Sequence, residues 1–314
     1  MDLGIYYSPD CLEHKGFPGF AERPARLASL SALFNRMKLD TIAPAAAKAE
    51  WLQRAHTPSY IGIIEVISKK NILSGTMENI RNEHVQWYTR VSPHSYNAAL
   101  HAAGAVCQAV EDTLAGKCKR AFCAVRPPGH HAGPERGEGF CLLNNVAIGA
   151  LHALAIGAER IAIIDFDRHH ANGTQDIVER SGMGKIFLAS SYQEGCKYNH
   201  NEREGRISET ILTVPLKAGS DYSHIGSEYR SKVVPALYDF KPDLILVSAG
   251  FDAHKDDPLT NLRMESEDYF SLTKLLTDAA NDLCGGRIVS ALEGGYEIKA
   301  LAECVKWHIM ALKR

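Results

Sequence analysis

Seven short apolar runs recur along the chain, and they constrain its fold more than any other feature of the sequence. Their apolar residues are nearly continuous and do not alternate with polar ones, which is typical of strands that are buried on both faces. The runs are Leu3–Tyr7, Ala121–Val125, Arg160–Phe166, Lys185–Ser190, Ile211–Leu216, Leu244–Ala249 and Arg287–Leu292.

Helical patterns lie between these runs. Apolar residues from Leu272 to Leu283 recur at helical spacing, after acidic residues and before Gly285, as expected of a helix with favourable ends. A second helical stripe runs from Ala99 to Val110. Strands that alternate with helices predict an α/β fold with a mostly parallel central sheet flanked by helices on both faces. Since no repeat or long linker interrupts the sequence, we predict a single domain over residues 1–314.

Composition narrows the class of protein. Lys and Arg total 35 against 37 for Asp and Glu, so the net charge of −2 gives no indication of direct nucleic-acid binding. The sequence contains no run of about 18 apolar residues, so we expect no membrane span. The N-terminus does not have the pattern of a signal peptide. The 8 cysteines contain no CxxC pair and are interpreted as reduced thiols, so we expect a cytoplasmic protein.

Residues capable of chemistry follow the predicted strands, where the binding sites of open α/β sheets lie. Histidines, aspartates and a glycine-flanked tyrosine concentrate in these segments. The segments are Arg126–Gly133 (RPPGHHAG), Asp165–Gly173 (DFDRHHANG), Ser190–Gly195 (SSYQEG), Ala249–Pro258 (AGFDAHKDDP) and Leu292–Glu297 (LEGGYE). Because the carboxyl ends of parallel strands meet at one edge, these segments predict a shared site there.

A metal site is the first hypothesis for this edge. Asp165, Asp167 and His169 alternate along the chain, and they would share one face if the strand continued through them. Two carboxylates and an imidazole can bind a divalent metal, and Asp252 is the best candidate for a further ligand. One His and two Asp with open positions favour a catalytic metal, whereas the alternative interpretation is a salt-bridge network at the strand ends.

Other candidates have both a catalytic and a structural interpretation. His130 and His131 follow a rigid Pro-Pro-Gly turn and suit acid/base catalysis, but they could also be surface histidines. Tyr296 follows two glycines and could donate to an oxyanion or pack in the core. Cys141 is either a nucleophile or a buried thiol, and Phe140 either lines a pocket or packs.

Five motifs in this order resemble the zinc-dependent histone deacetylase superfamily of arginase-like fold. They are "RPPGHHA", "GFCLLNNVAIGA", "DFDRHHANGT", "AGFDAHKDDPL" and "LEGGY", and "ERPARL" with "VSPHSYNAAL" extends the match toward the N-terminus. The superfamily includes bacterial deacetylase homologues and acetylpolyamine amidohydrolases. The chain resembles the bacterial type with class II-like features.

The resemblance implies one zinc ion, or ferrous iron, held by Asp167, His169 and Asp252, with activated water attacking an acetamide carbonyl. His131 would act as the general base and then as the acid for the leaving amine. His130 would act mainly through its charge, paired with Asp165. The resemblance also assigns Tyr296 to the stabilisation of the oxyanion. It makes Asn172 the neutral partner of His131, which should leave His131 less basic than an aspartate would.

The resemblance further implies a structural potassium ion and an acyl tunnel. The potassium would be bound by Asp165, the carbonyls of Asp167, His169 and Ser191, and the Ser190 hydroxyl. The tunnel would be lined by Gly139, Phe140 and Tyr198, with Leu259 at its rim. The implied substrate is an N-acetyl or short-acyl amine: acetyl-lysine in a protein or peptide first, an acetylpolyamine or other small molecule second. A two-metal ureohydrolase and a non-catalytic binding protein remain the alternatives, and association into a homo-oligomer is left open.

The sequence departs from the family pattern at positions that bear on the substrate. Arg168 and Ala171 alter the "DFDRHHANGT" motif, Tyr88 stands where an acid is common, and the loop "SSYQEGCKYNHNEREG" at the tunnel mouth is unusual. Strand alternation predicts that the Arg168 side chain points away from the metal. We therefore expect a salt bridge between Arg168 and a carboxylate on that far face.

Overall fold

One sheet lies at the centre of the fold. The computed structural model of the chain describes residues 1–16, 19–74, 85, 89–196 and 205–314. The strand order is β1-β2-β8-β7-β3-β4-β6-β5, and within the described part only β5 pairs antiparallel. The strands are β1 (Leu3–Tyr7), β2 (Arg120–Ala124), β3 (Ile161–Asp165), β4 (Ile186–Gln193), β5 (Gly205–Arg206), β6 (Ile211–Leu216), β7 (Leu244–Ala249) and β8 (Ile288–Leu292). Each of the seven apolar runs forms a strand, and the two-residue β5 is an addition that its sequence did not indicate.

Helices connect the strands. They are α1 (Ala25–Arg36), α2 (Ala49–Leu52), α3 (Pro58–Ser74), α4 (Ser95–Leu114), α5 (Asn145–Ala155), α6 (Asn172–Ser181), α7 (Tyr222–Glu228), α8 (Val234–Phe240), α9 (Asp268–Cys284) and α10 (Ile298–Leu312). The two predicted stripes lie on α4 and α9, and α9 ends at Gly285 in the left-handed conformation. Among the described helices, none is long and apolar enough to cross a membrane.

The helices form two groups. Helices α4 and α5 pack on each other and on β2 and β3, whereas α10 packs on α1 and α9, and α9 packs on β7. Every residue of β2, β3, β7 and β8 is buried, so side chains on both faces of the central sheet are covered. The α/β prediction with a mostly parallel sheet is confirmed, and the extent of the domain over residues 1–314 stays a prediction.

The register of the central strands brings the functional segments together. Asp165 at the end of β3 lies opposite Ser190 of β4 and Ser248 of β7, and Ala249 lies opposite Leu292 of β8. Since these pairs are parallel, the loops that follow the strands leave the sheet side by side at one edge.

Candidate active site

Three buried ligand atoms converge at this edge. Asp167 and His169 follow β3, Asp252 follows β7, and one ligand atom from each lies within 4.8 Å of the others. Nδ1 of His169 is 2.9 Å from Oδ1 of Asp167 and 3.1 Å from Oδ2 of Asp252. The convergence does not come from strand alternation, because β3 ends at Asp165. A turn produces it instead, in which Oδ1 of Asp167 accepts a hydrogen bond from the backbone N–H of His169 at 2.9 Å.

The residues present fit a divalent cation. Oδ2 of Asp252 is buried, and Nδ1 of His169 approaches it at 3.1 Å. Burial alone would lower the pKa of His169, but its hydrogen bonds with Asp167 and Asp252 raise it to about 9. The three groups therefore stabilise positive charge placed between them, and two carboxylates with an imidazole suit zinc or ferrous iron.

Two glycines allow the backbone to approach these carboxylates. The N–H of Gly294 donates to Oδ2 of Asp167 at 2.8 Å, and a Cβ on Gly294 would lie 2.5 Å from Oδ2 of both Asp167 and Asp252. A Cβ on Gly250 would overlap the Asp167 carboxylate. Any side chain at these two positions would therefore displace the ligands.

A pair of adjacent histidines, with rings tilted by 42°, lies beside the ligands on the loop between β2 and α5. The ring centroids of His130 and His131 are 4.0 Å apart. Nδ1 of His130 lies 3.0 Å from Oδ2 of Asp165. Burial favours a lower pKa for His130, but the charges of Asp167 and Asp165 raise it to about 10. Burial and the positive charge of His130 hold the pKa of His131 well below its usual value. The pKa values of the two imidazoles are therefore shifted in opposite directions.

The amide of Asn172, the first residue of α6, fixes the tautomer of His131. Oδ1 of Asn172 lies 2.6 Å from Nδ1 of His131, and Nδ2 donates to Oε2 of the buried Glu138 at 3.3 Å. A carboxylate only accepts hydrogen bonds, so Glu138 orients the amide with its oxygen toward the histidine. Nδ1 of His131 then carries the proton, and Nε2 keeps the lone pair. Gly139, at φ +53°, packs against this ring, where a Cβ would overlap the imidazole.

Tyr296 is buried just beyond β8. Its backbone N–H donates to Oδ2 of Asp257 at 2.6 Å. The guanidinium of Arg26 lies 4.9 Å from the centroid of its ring, and the Phe140 ring lies at 5.8 Å. Arg26 also donates from Nε to the carbonyl of Gly295. Burial holds the pKa of Tyr296 well above its usual value, so the phenol is a neutral hydrogen-bond donor.

Several buried charges that support the site were not identified from the sequence as functional residues. Oε2 of Glu293 accepts the backbone N–H groups of Gly129 and His130 at 2.7 and 3.1 Å, and burial raises the pKa of Glu293 to about 7. Glu22 pairs with Arg126. Glu22, Arg26, Glu293 and Asp257 all lie inside quoted motifs, but their partners are distant in sequence, so spacing did not reveal their contacts.

The predictions for Cys141 and for the potassium site have different outcomes. Burial holds the pKa of Cys141 well above its usual value, which favours the buried thiol over the nucleophile, and all eight cysteines are free.

The residues of the predicted potassium site are adjacent: Oγ of Ser191 donates to the carbonyl of Asp165 at 3.3 Å, and Ser190 pairs with Asp165 in the sheet. Oγ of Ser190 contacts Nδ1 of His170 at 3.0 Å. The potassium ion itself stays a prediction.

A cavity of about 420 Å³ opens onto His131, His169 and Tyr296. Its lining brings together the predicted tunnel residues Gly139, Phe140 and Leu259 with the catalytic candidates, whereas Tyr198 and Tyr88 lie outside the described residues. The lining residues are His131, Gly139, Phe140, Arg168, His169, Gly195, Cys196, Leu259 and Tyr296.

The prediction for Arg168 is wrong. Arg168 lines the cavity, and its Nη2 donates to Sγ of Cys196 on the same wall at 2.8 Å, where a salt bridge on the far face was expected. Strand alternation does not apply to Arg168 because the ladder ends before it: the N–H of Phe166 donates to the Ser248 carbonyl, and the chain then turns.

Comparisons with known proteins agree with this geometry. Residues 20–312 match the family model described as "Histone deacetylase domain". The chain is 34% identical to the type-2 histone deacetylase 2 of Dictyostelium discoideum over 99% of its own length, which is 20% of that protein's length. It is also 34% identical to the histone deacetylase-like amidohydrolase of Pseudomonas aeruginosa, over 93% of this chain and 75% of that protein.

A solved structure extends the likeness to three dimensions. The crystal structure of the HDA15 HD domain superposes with a TM-score of 0.88 at 28% sequence identity, covering 99% of this chain and 89% of that one. The family model covers nearly the whole chain and includes all the motifs that form the site. The chain therefore belongs to the histone deacetylase family of hydrolytic enzymes.

Proposed function

We propose that the chain hydrolyses the amide bond of an N-acetyl or short-acyl amine, with acetyl-lysine in a protein or peptide as the first substrate. The observation that carries this proposal is that His130 and His131, held by Asp165 and Asn172, lie beside the cluster of Asp167, His169 and Asp252. His131 and His169 line one cavity together with Tyr296. Amide hydrolysis needs a base, a cation and an oxyanion donor together, and this edge of the sheet offers all three.

A divalent metal held by Asp167, His169 and Asp252 would supply Lewis-acid polarisation of the acyl carbonyl and of the attacking water. Nε2 of His131 accepts a proton from that water and later delivers it to the leaving amine, because Nδ1 is engaged by Asn172. His130 remains charged beside Asp165 and stabilises negative charge as it develops. We also propose the potassium ion at Asp165 and Ser190 as a structural ion that offsets the charge of Asp165.

Tyr296 donates its O–H to the oxyanion that develops on the acyl oxygen. Its placement depends on the hydrogen bond to Asp257 and on the contact with Arg26, which together hold the residues around Gly295 in one conformation. Loss of a single oxyanion donor costs about 10²- to 10³-fold in kcat.

The test is the rate of deacetylation of an acetyl-lysine peptide by the wild-type protein and by Tyr296→Phe, each loaded with zinc or ferrous iron and then chelated. We expect Tyr296→Phe to lose about 10²-fold or more in kcat, and chelation to abolish turnover. Tyr238→Phe is the matched control, since Tyr238 is 41% exposed and bonds Asp282 on the surface. Full activity of Tyr296→Phe on every acyl-lysine substrate would refute the assignment.

A further inference from the structure

We propose that Arg168 binds a carboxylate of the substrate in the wall of the active-site cavity, so that this enzyme favours acylated amines carrying a negative charge. The inference rests on the proposed amide hydrolysis and names its substrate class. It would also make a polycationic acetylpolyamine an unfavourable substrate, because a like charge would face the guanidinium.

The guanidinium has few partners where it lies. Its Nη2 donates to Sγ of Cys196 at 2.8 Å, but a thiol is a weak acceptor. Nε of Arg168 is buried and makes no hydrogen bond within the described part of the chain. No carboxylate of the described residues forms a salt bridge with Arg168. A partly buried guanidinium with an unused donor is costly, and a carboxylate from the substrate would complete its hydrogen bonds.

The backbone holds Arg168 firmly in this position. Its N–H donates to Oδ1 of Asp252 at 3.0 Å, and its carbonyl accepts the N–H of Gln193 at 2.8 Å. Arg168 also lies between the two candidate ligands Asp167 and His169 in sequence. The side chain therefore starts from a fixed point next to the reacting centre, which makes it a positioned partner for a substrate group.

The charge of the cavity wall suits the binding of a carboxylate. Apart from the histidines, the other lining residues are Gly139, Phe140, Gly195, Cys196, Leu259 and Tyr296, none of which carries a fixed charge. Arg168 thus supplies the fixed charge among the described residues of the wall. Because the guanidinium presents a rigid fork of donors, it recognises carboxylates in a way that an ammonium does not.

The substrate carboxylate could belong to the acyl group or to the amine from which it is cleaved, and two substrate pairs distinguish these positions. The acyl pair is a peptide with Nε-succinyl-lysine and the same peptide with the neutral Nε-succinamoyl-lysine. The amine pair is Nα,Nε-diacetyl-lysine with a free α-carboxylate and its α-carboxamide. N-acetylputrescine serves as the cationic comparison. Each substrate is measured by kcat/KM and, independently of turnover, by calorimetric Kd.

The wild-type protein should prefer the carboxylate member of at least one pair by about tenfold in kcat/KM and Kd, as one charge-assisted hydrogen bond provides. Arg168→Gln should abolish that preference, and Arg168→Lys should restore part of it. Arg180→Gln is the control, because Arg180 is exposed on α6, with its side chain 59% accessible. Thermal unfolding checks that each variant is folded. If Arg168→Gln does not fold, the change in carboxylate preference in Arg168→Lys tests the role of Arg168 instead.

The outcomes separate the two proposals. If neither pair shows a preference, if Arg168→Gln retains it, or if N-acetylputrescine is the best substrate, the carboxylate role of Arg168 is overturned. If no substrate is hydrolysed by the metal-loaded wild type, the proposed function fails instead. The calorimetric comparison of wild type with Arg168→Gln then still decides whether Arg168 binds a carboxylate.

Discussion

The amide of Asn172 should determine the pH at which the enzyme loses activity on the acidic side. Replacing it in Asn172→Asp puts a negative charge where Oδ1 now lies, 2.6 Å from Nδ1 of His131. For charge centres roughly 4 Å apart and an effective dielectric constant of about 20, the attraction is about 4 kcal/mol, or about 3 pKa units. Oε2 of Glu138 lies 3.3 Å from Nδ2 of Asn172, and its repulsion favours the protonated form of the new aspartate, which reduces this gain. We therefore expect the pKa of His131 to rise by about 1 to 2 units.

The direction follows from the protonation state that His131 needs. A general base works only when it is neutral, and burial together with the charge of His130 holds the pKa of His131 well below its usual value in the natural chain. Activity should therefore persist to low pH and fall only as His131 becomes protonated. In Asn172→Asp the pKa is higher, so the acidic limb of the profile moves to higher pH.

The measurement is kcat/KM for an acetyl-lysine peptide across the pH range in which the variant stays folded. This quantity reports the pKa of the free enzyme's base. An acidic limb that stays at the wild-type pH in an active, folded Asn172→Asp would contradict the assignment of His131 as the base, and so would a shift to lower pH.

Two substitutions and one measurement of metal content test the site and its supports. Gly294→Ala should lower both the metal content and the turnover rate, because its Cβ would overlap the carboxylates of Asp167 and Asp252. Gly62→Ala is the control: Gly62 has open space around it, so metal analysis and turnover assays should show no change. The metal-to-protein ratio at full activity should be one, and a ratio of two would favour the ureohydrolase alternative. Glu22→Gln should lower the free energy of unfolding by about 3 to 5 kcal/mol in denaturant titration, because it leaves the buried Arg126 without its charged partner; a loss below about 1 kcal/mol would show that the pair contributes little.

The sequence was sufficient for the features that depend on local patterns. Continuous apolar runs identified the seven main strands, because a strand covered on both faces needs apolar side chains at every position. The rule that sites lie beyond the carboxyl ends of parallel strands then predicts that His130, Asp167, Asp252 and Tyr296 share one edge. These side chains do lie at one edge, because parallel pairing in register requires it.

Only the tertiary structure determined which way individual side chains point and what supports them. Strand alternation put Arg168 on the wrong side because it holds only while the ladder persists, and β3 ends at Asp165. The orientation of the Asn172 amide depends on Glu138, and the position of Tyr296 depends on Arg26 and Asp257. These contacts join residues that are distant in sequence, so the composition and spacing around each residue contain no record of them. The local pattern therefore determined the strands and the chemistry at their ends, while the packing of distant segments determined the charge and direction of each group.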